Sequence, residues 1–335
     1  MTNRYITTYP WQKSDWSKLV NQKIKGRLAH AYLVCGIAGI GKFDFVFKFS
    51  KYLLCASPDK YDACGKCADC KLFDSIHPNI KVLMPENIAS EIKVDQVRDL
   101  TDFINKTGHS GGLKLCIIGN ADRLNANATN ALLKTLEEPS GASTLFLCSS
   151  FPGLLSPTLR SRCQKFSMKE PGRKETLDWI KEQANEAIDD NLLSSVTLNG
   201  PLEIKELVES RKLEKQNFFI ENFINLLTEQ RAIQDVVNSA MELGGRDSVT
   251  CLMQFLSRAM VMYFSNQVVD SNLPEKFFAD ILDKSSLSPR NLAILLFRYY
   301  DQVAQAYVDL SGSSNVSPQL TMESLIWRGS QLDLC

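Results

Sequence analysis

The stretch LVCGIAGIGKFDF, residues 33–45, limits what this chain can fold into more than any other. An apolar run, AYLVCG, leads into the glycines, and FDFVFKFSKYLLC behind them carries apolar residues at helical spacing. Strand, glycine loop, lysine and helix in that order make a phosphate-binding loop. Glycines let backbone amides turn inward at a helix N-terminus, where the helix dipole also favours anions. The candidate phosphate-contacting residues are Gly36, Gly39, Gly41 and Lys42, which satisfy G-x-x-x-x-G-K-[ST] up to its last position. There Phe43 replaces the hydroxyl that would meet a magnesium ion.

Two further buried-strand candidates, LKLCIIGN (113–120) and STLFLCSS (143–150), flank the helical stretch ANATNALLKTLEEP. Strands alternating with helices argue a parallel sheet covered on both faces. Hydrolysis in such a fold needs magnesium held by the loop hydroxyl and by a carboxylate at the end of a later strand. The run LCIIGNADRL instead ends in Gly119 and Asn120, and Asp122 stands further on, at the approach to the next helix. The groups for turnover are missing together. Ser149 and Ser150 end the third strand, where serines commonly bond their own turn.

Ten cysteines occur in all, and four form C-x8-C-x2-C-x2-C: Cys55, Cys64, Cys67 and Cys70. Two-residue gaps let thiolates leave one tight turn and meet at a tetrahedral zinc, and four ligands leave no open position, so the site reads as structural. A redox pair, a disulfide or an iron-sulfur cluster are the rival readings. His77 lies beyond Cys70 as a turn residue, while His30 and His109 show no partner at ligand spacing. The remaining cysteines are scattered, several in apolar runs where a reduced thiol packs as a small hydrophobe.

Thirty-eight basic and 38 acidic side chains cancel, so no global field draws the chain onto nucleic acid or an anionic membrane. No apolar run has transmembrane length, and MTNRYITTYPWQKSDW lacks the apolar centre of a signal peptide. These features read as a cytoplasmic protein without membrane contact. Pro171 and Gly172 punctuate the end of the alternating region, and small helices broken at Asn199-Gly200-Pro201 follow. From about Arg211 onward only helical periodicity appears, and its aromatic residues, including Phe297 and Trp327, read as core or helix contacts.

The combination of AHAYLVCGIAGIGK, the cysteine cluster, NALLKTLEEP and LRSRC resembles the bacterial clamp loaders, AAA+ proteins of the DNA polymerase III holoenzyme. These proteins open the ring-shaped sliding clamp and place it on primed DNA. The resemblance covers most of the first 170 residues and beyond them rests mainly on length and helical character. It implies an AAA+ α/β P-loop domain over 1–168 with an inserted zinc module at 55–70, a small helical lid domain over 169–210, and an all-α collar for oligomerisation over 211–335. Phe43, Gly119 and Asn120 depart from the motor subunits' pattern and favour the branch that has lost hydrolysis.

That branch is expected to assemble with motor subunits of the gamma/tau type and a clamp-opening delta subunit. It meets the sliding clamp and primed DNA through the complex. The resemblance implies that Arg162, in Ser161-Arg162-Cys163, is an arginine finger reaching ATP on a neighbouring motor subunit; on residues alone it reads as a surface arginine. It also places a nucleotide sensor at Ser149 and Ser150, whereas a second sensor has no arginine beside Gly200. The expected cofactor is structural zinc, and the altered loop puts ATP binding by this chain in question. The chain itself is expected to lack ATPase and polymerase activity. The rival readings are an active motor subunit of the same loader and a zinc-dependent nucleic-acid-binding module.

Overall fold

A five-stranded sheet is built from β1 (Ala31–Cys35), β2 (Ile80–Leu83), β3 (Lys114–Ile118), β4 (Ser143–Ser149) and β5 (Gln164–Ser167). The strands run in the order β2-β3-β4-β1-β5, every pairing parallel. Every residue of β1 and β3 is buried, which is why these runs read as continuously apolar rather than alternating. The outer strands are shorter and half exposed, with Phe166 the one buried residue of β5.

Helices cover both faces of the sheet. On one, α1 (Lys13–Ile24) and α2 (Lys42–Leu54) pack Trp16, Leu19, Phe45 and Phe49 against Tyr32, Val34, Ile117 and Phe146. Trp16 meets Phe45 and Phe49 edge-on at 5.8 and 5.7 Å, an arrangement that suits the ring quadrupoles. Beyond α2 comes the short α3 (Ala68–Leu72), with α4 (Val94–Asn105), α5 (Ala126–Glu137) and α6 (Pro157–Arg162) further along. From these last three, Val97, Leu100, Leu132 and Leu159 pack on the opposite face against Leu33, Cys116, Ile118 and Leu147. Alternate residues of each strand thus feed two separate cores.

The computed structural model describes residues 8–73, 77–86, 90–105, 112–139, 141–183, 200–210, 212–228, 231–265, 278–279, 281–283, 285–311 and 316–332. His109, Asn199 of the expected helix break and the last three residues lie outside them. The chain divides into two compact units. One holds the described residues up to Thr176 together with 200–203, and the other holds 177–183 and the described residues from Ile204 onward. The segment 169–210 is therefore shared between them. Two helices, α7 (Arg173–Gln183) and α8 (Pro201–Glu209), fall at these junctions.

The regular structure described in the second unit is helical: α9 (Lys212–Leu227), α10 (Ile233–Leu243), α11 (Gly245–Ser265), α12 (Pro289–Ser311) and α13 (Pro318–Ser330). Phe223 stacks on Tyr299 at 6.3 Å, and the Tyr299 hydroxyl donates to the Leu325 carbonyl at 3.1 Å. Burial pushes that phenol's pKa up, so it stays a neutral donor. The aromatic residues of this region are thus partly core, whereas Phe297 and Trp327 are exposed. No helix among the described residues is long and apolar enough to cross a membrane.

Candidate functional site

The glycine loop lies between β1 and α2, at the carboxyl edge of the sheet where parallel α/β folds place their ligands. Gly39 and Gly41 have φ of 75° and 78°, left-handed values that a side chain would oppose. Both are crowded besides. A Cβ on Gly41 would lie 2.6 Å from the Tyr9 ring, and one on Gly39 would lie 2.7 Å from the Glu203 Cβ. The loop is clasped from two sides, by Tyr9–Gln12 and by the start of α8.

Every carbonyl from Gly36 to Gly41 is engaged. Lys42 Nζ donates to Gly36 O at 2.9 Å and Ile37 O at 2.8 Å. Gly200 N bonds Ala38 O and Leu202 N bonds Gly39 O. Trp11 Nε1 and Gln12 Nε2 share Ile40 O, and Gln12 also reaches Gly41 O at 3.0 Å. The backbone amides of Ile37 to Gly41, by contrast, donate to no acceptor among the described residues. The loop has kept the polarity of an anion cradle, with carbonyls tied back and amides free.

Lys42 is buried, and that burial lowers its pKa. Its third bond goes to Ser150 Oγ at 2.8 Å. Asp122 lies behind Ser150, in a 3-10 turn (Ala121–Arg123) rather than capping α5; the cap is Asn125, whose side chain accepts from Ala128 N. The Asp122 carboxylate accepts from Ser149 Oγ at 2.5 Å, Ser150 N at 2.7 Å and Phe151 N at 3.2 Å. The strand-tip serines therefore link a carboxylate to the loop lysine, a connection that motif spacing did not reveal.

The surroundings of Phe43 and Gly119 are apolar. Phe43 stacks on Phe47 at 5.9 Å and turns toward Gly119. A Cβ on Gly119 would lie 1.9 Å from Met84 Sδ and 3.2 Å from Phe43 Cδ2. Thioether and ring thus leave no room for a side chain at Gly119. Gly119 N donates to Leu83 O at 2.9 Å, which keeps Met84 beside it. Met84 follows an edge strand that sequence reading did not detect.

Arg162 closes α6. Its Nη1 donates to Thr158 O at 2.8 Å, and its Nη2 pairs with Glu137 Oε1 at 2.5 Å. Ser161 Oγ donates to the same Thr158 carbonyl at 3.0 Å. Cys163 is buried beneath them among the core residues, and burial pushes its thiol up to about 12. In this tripeptide the cysteine anchors, the serine bonds its own helix, and the arginine faces outward.

The four cysteines of the cluster come together. Cys55 follows α2, Cys67 caps α3, and Gly65 makes the turn between them with φ 69°. All four Sγ atoms lie within 4.8 Å of one another, with Cys55–Cys67 at 3.9 Å and Cys64–Cys70 at 4.0 Å. A disulfide needs about 2.05 Å. A tetrahedral ion with bonds of about 2.3 Å needs sulfurs roughly 3.8 Å apart, so the spacing fits a metal such as zinc. Backbone amides point at the sulfurs: Cys70 N donates to Cys67 Sγ and lowers that thiol to about 6. Burial leads in the opposite direction at Cys70, which is pushed up to about 12.

His77 is buried beside this module but is not among the clustered ligands. Its Nδ1 accepts from Asn79 N at 3.1 Å, and its Nε2 faces Asp69 at 3.5 Å. Burial lowers its pKa, and the ring braces the turn. His30 bonds the Leu136 carbonyl at 3.2 Å, a structural role consistent with its spacing.

A parallel sheet with a lysine-bearing glycine loop defines a P-loop-type α/β fold, here with apolar groups around Phe43 and Gly119. Among known proteins, the family model described as DNA polymerase III, delta subunit, matches residues 11–172. DNA polymerase III subunit delta' of Pseudomonas aeruginosa is 38% identical over 234 residues, which are 69% of this chain and 70% of that protein. The Escherichia coli subunit delta' is 35% identical over 193 residues, 57% of this chain and 58% of that protein. DNA polymerase III subunit tau/gamma of Haemophilus influenzae is 35% identical over 151 residues, 45% of this chain and 22% of that protein. The chain belongs to the family of DNA polymerase III subunit delta'.

Proposed function

We propose that this chain is a non-hydrolysing clamp-loader subunit: it assembles with motor subunits of the gamma/tau type and a clamp-opening delta subunit, and through that complex loads the sliding clamp onto primed DNA. The observation that carries the reading is the contact of Met84 and Phe43 around Gly119. Phosphoryl transfer depends on a metal bridging the terminal phosphates. This chain offers thioether and benzyl carbon there, while its loop amides remain available to an anion.

Arg162 supplies charge in trans. A guanidinium at a transferring phosphoryl group is always protonated and presents a planar fork. Arg162 stands at the end of an outward-facing helix, anchored by Cys163 and bonded with Ser161 to Thr158. Zinc at Cys55, Cys64, Cys67 and Cys70 is structural and ties the loop after α2 to the sheet domain. The three-part organisation, 1–168, 169–210 and 211–335, belongs to the same proposal, with the last part the oligomerising collar. The working compartment is the cytoplasm.

Assembly tests this directly. Mixed with purified motor and clamp-opening subunits, the chain is expected to elute as one complex that loads clamps, while the mixture without it loads few. A chain that elutes alone, or a mixture that loads equally well without it, would remove the reading.

A further inference from the structure

Two arginines occupy the last turn of α6, and the structure treats them differently. Arg160 is exposed and has no partner among the described residues. Arg162 is fixed by two bonds, one to Thr158 of its own helix and one to Glu137, the final residue of α5. Both members of the pair are open to solvent, Arg162 with 34% and Glu137 with 49% of the side chain exposed.

Glu137 is an unusual residue to find there. A carboxylate in the last turn of a helix meets the negative end of the dipole, which disfavours it. The Arg162 guanidinium offsets that cost, and the carboxylate in turn neutralises the guanidinium. An exposed pair of this kind contributes little, so it holds a geometry that a stronger anion can replace. A triphosphate presented by a neighbouring subunit is such an anion, with several negative charges and oxygens that suit a fork of N–H donors.

We propose that Glu137 is a positioning residue: it latches Arg162 against the corner between α5 and α6 and gives the guanidinium up when a nucleotide triphosphate on the adjoining motor subunit arrives. This rests on the reading of Arg162 as a group acting in trans. The latch makes engagement conditional. Without a triphosphate the finger is neutralised, and with one the ion pair is exchanged for contacts to phosphate. Glu137 then competes with nucleotide, and removing its charge favours the engaged state.

The test measures association of the full chain with the purified motor subunit, with and without a non-hydrolysable ATP analogue, for wild type, Glu137→Gln, Arg162→Ala, the double variant and Arg160→Ala. The Gln variant keeps the side chain's length and removes only its charge. It is expected to tighten nucleotide-dependent association about two- to fivefold, with no change when nucleotide is left out. In the Arg162→Ala background the same replacement is expected to change nothing, which a merely structural role for Glu137 would not produce. Arg160→Ala is expected to behave as wild type.

Arg162→Ala without any effect on nucleotide-dependent association would overturn the trans reading and the latch with it. An effect of Arg162→Ala combined with no effect of Glu137→Gln would overturn the latch alone. So would a Glu137→Gln effect that persists in the double variant.

Discussion

Arg162→Ala protein, assembled with wild-type motor and clamp-opening subunits, is expected to lose about 10³-fold in ATP turnover at the one site it adjoins. The size follows from what the residue does. A guanidinium in a closed phosphoryl-transfer site meets charge that develops only in the transition state, and there it acts without the screening of bulk water. A pre-steady-state burst on clamp and primed DNA reads the effect as the loss of one fast site, with the remaining burst intact. Because Arg162 is partly exposed and its pair with Glu137 is exposed too, its replacement should leave thermal stability within about 0.5 kcal/mol of wild type. Loss of turnover with unchanged melting is the signature of a chemical role. A burst identical to wild type would show that Arg162 serves no site.

The second large effect concerns metal. Freshly purified, reduced protein is expected to carry one zinc per chain, and Cys64→Ser/Cys67→Ser protein to carry none. The sulfur positions are those of a closed four-ligand site, and the contacts around it show how far its loss reaches. Trp16 Nε1 holds the Tyr61 carbonyl at 2.7 Å, Tyr52 holds the Lys60 carbonyl at 3.2 Å, and Lys48 pairs with Asp62 at 3.3 Å. These bonds anchor the segment between Cys55 and Cys64 to α1 and α2, so stripping the metal should loosen the module without unfolding the sheet. A cost of roughly 2–4 kcal/mol is expected, which lowers the melting temperature by about 5–15 °C. New protease cleavage should appear within 56–72. Affinity should also fall with pH, since each ligand must give up its proton. Metal-free protein that melts like the zinc-loaded form would refute a structural role for the site.

The parts of this molecule that could be read in its sequence share a physical cause. β1, β3 and β4 lie at the centre of a parallel sheet, are buried on both faces, and so appear as unbroken apolar runs bounded by glycine or serine. The edge strands β2 and β5 have four residues each and are partly exposed, and nothing in IKVL or QKFS separates them from loop. The same limit hid α1, where Trp16, Leu19 and Val20 are embedded in a mostly polar helix. The cysteine spacing was legible because a tight turn makes sequence neighbours into spatial ones.

Contacts made across the fold were not legible. Phe43 and Gly119 could be recognised as departures from a hydrolytic site, but the group between them, Met84, comes from the end of an edge strand. Nor could sequence show that Ser150 ties Lys42 to Asp122, or that Glu137 holds Arg162. Each joins residues whose relative position only the sheet order determines.

The isolated chain is expected to lack the means to hydrolyse ATP. Phosphate release by the isolated, repurified chain, followed with magnesium and ATP in excess, tests it most directly. The expected result is release no faster than a buffer blank at any chain concentration. Release that rises in proportion to the chain and survives repurification would contradict it, because a working metal site would then exist beside Phe43, Met84 and Gly119.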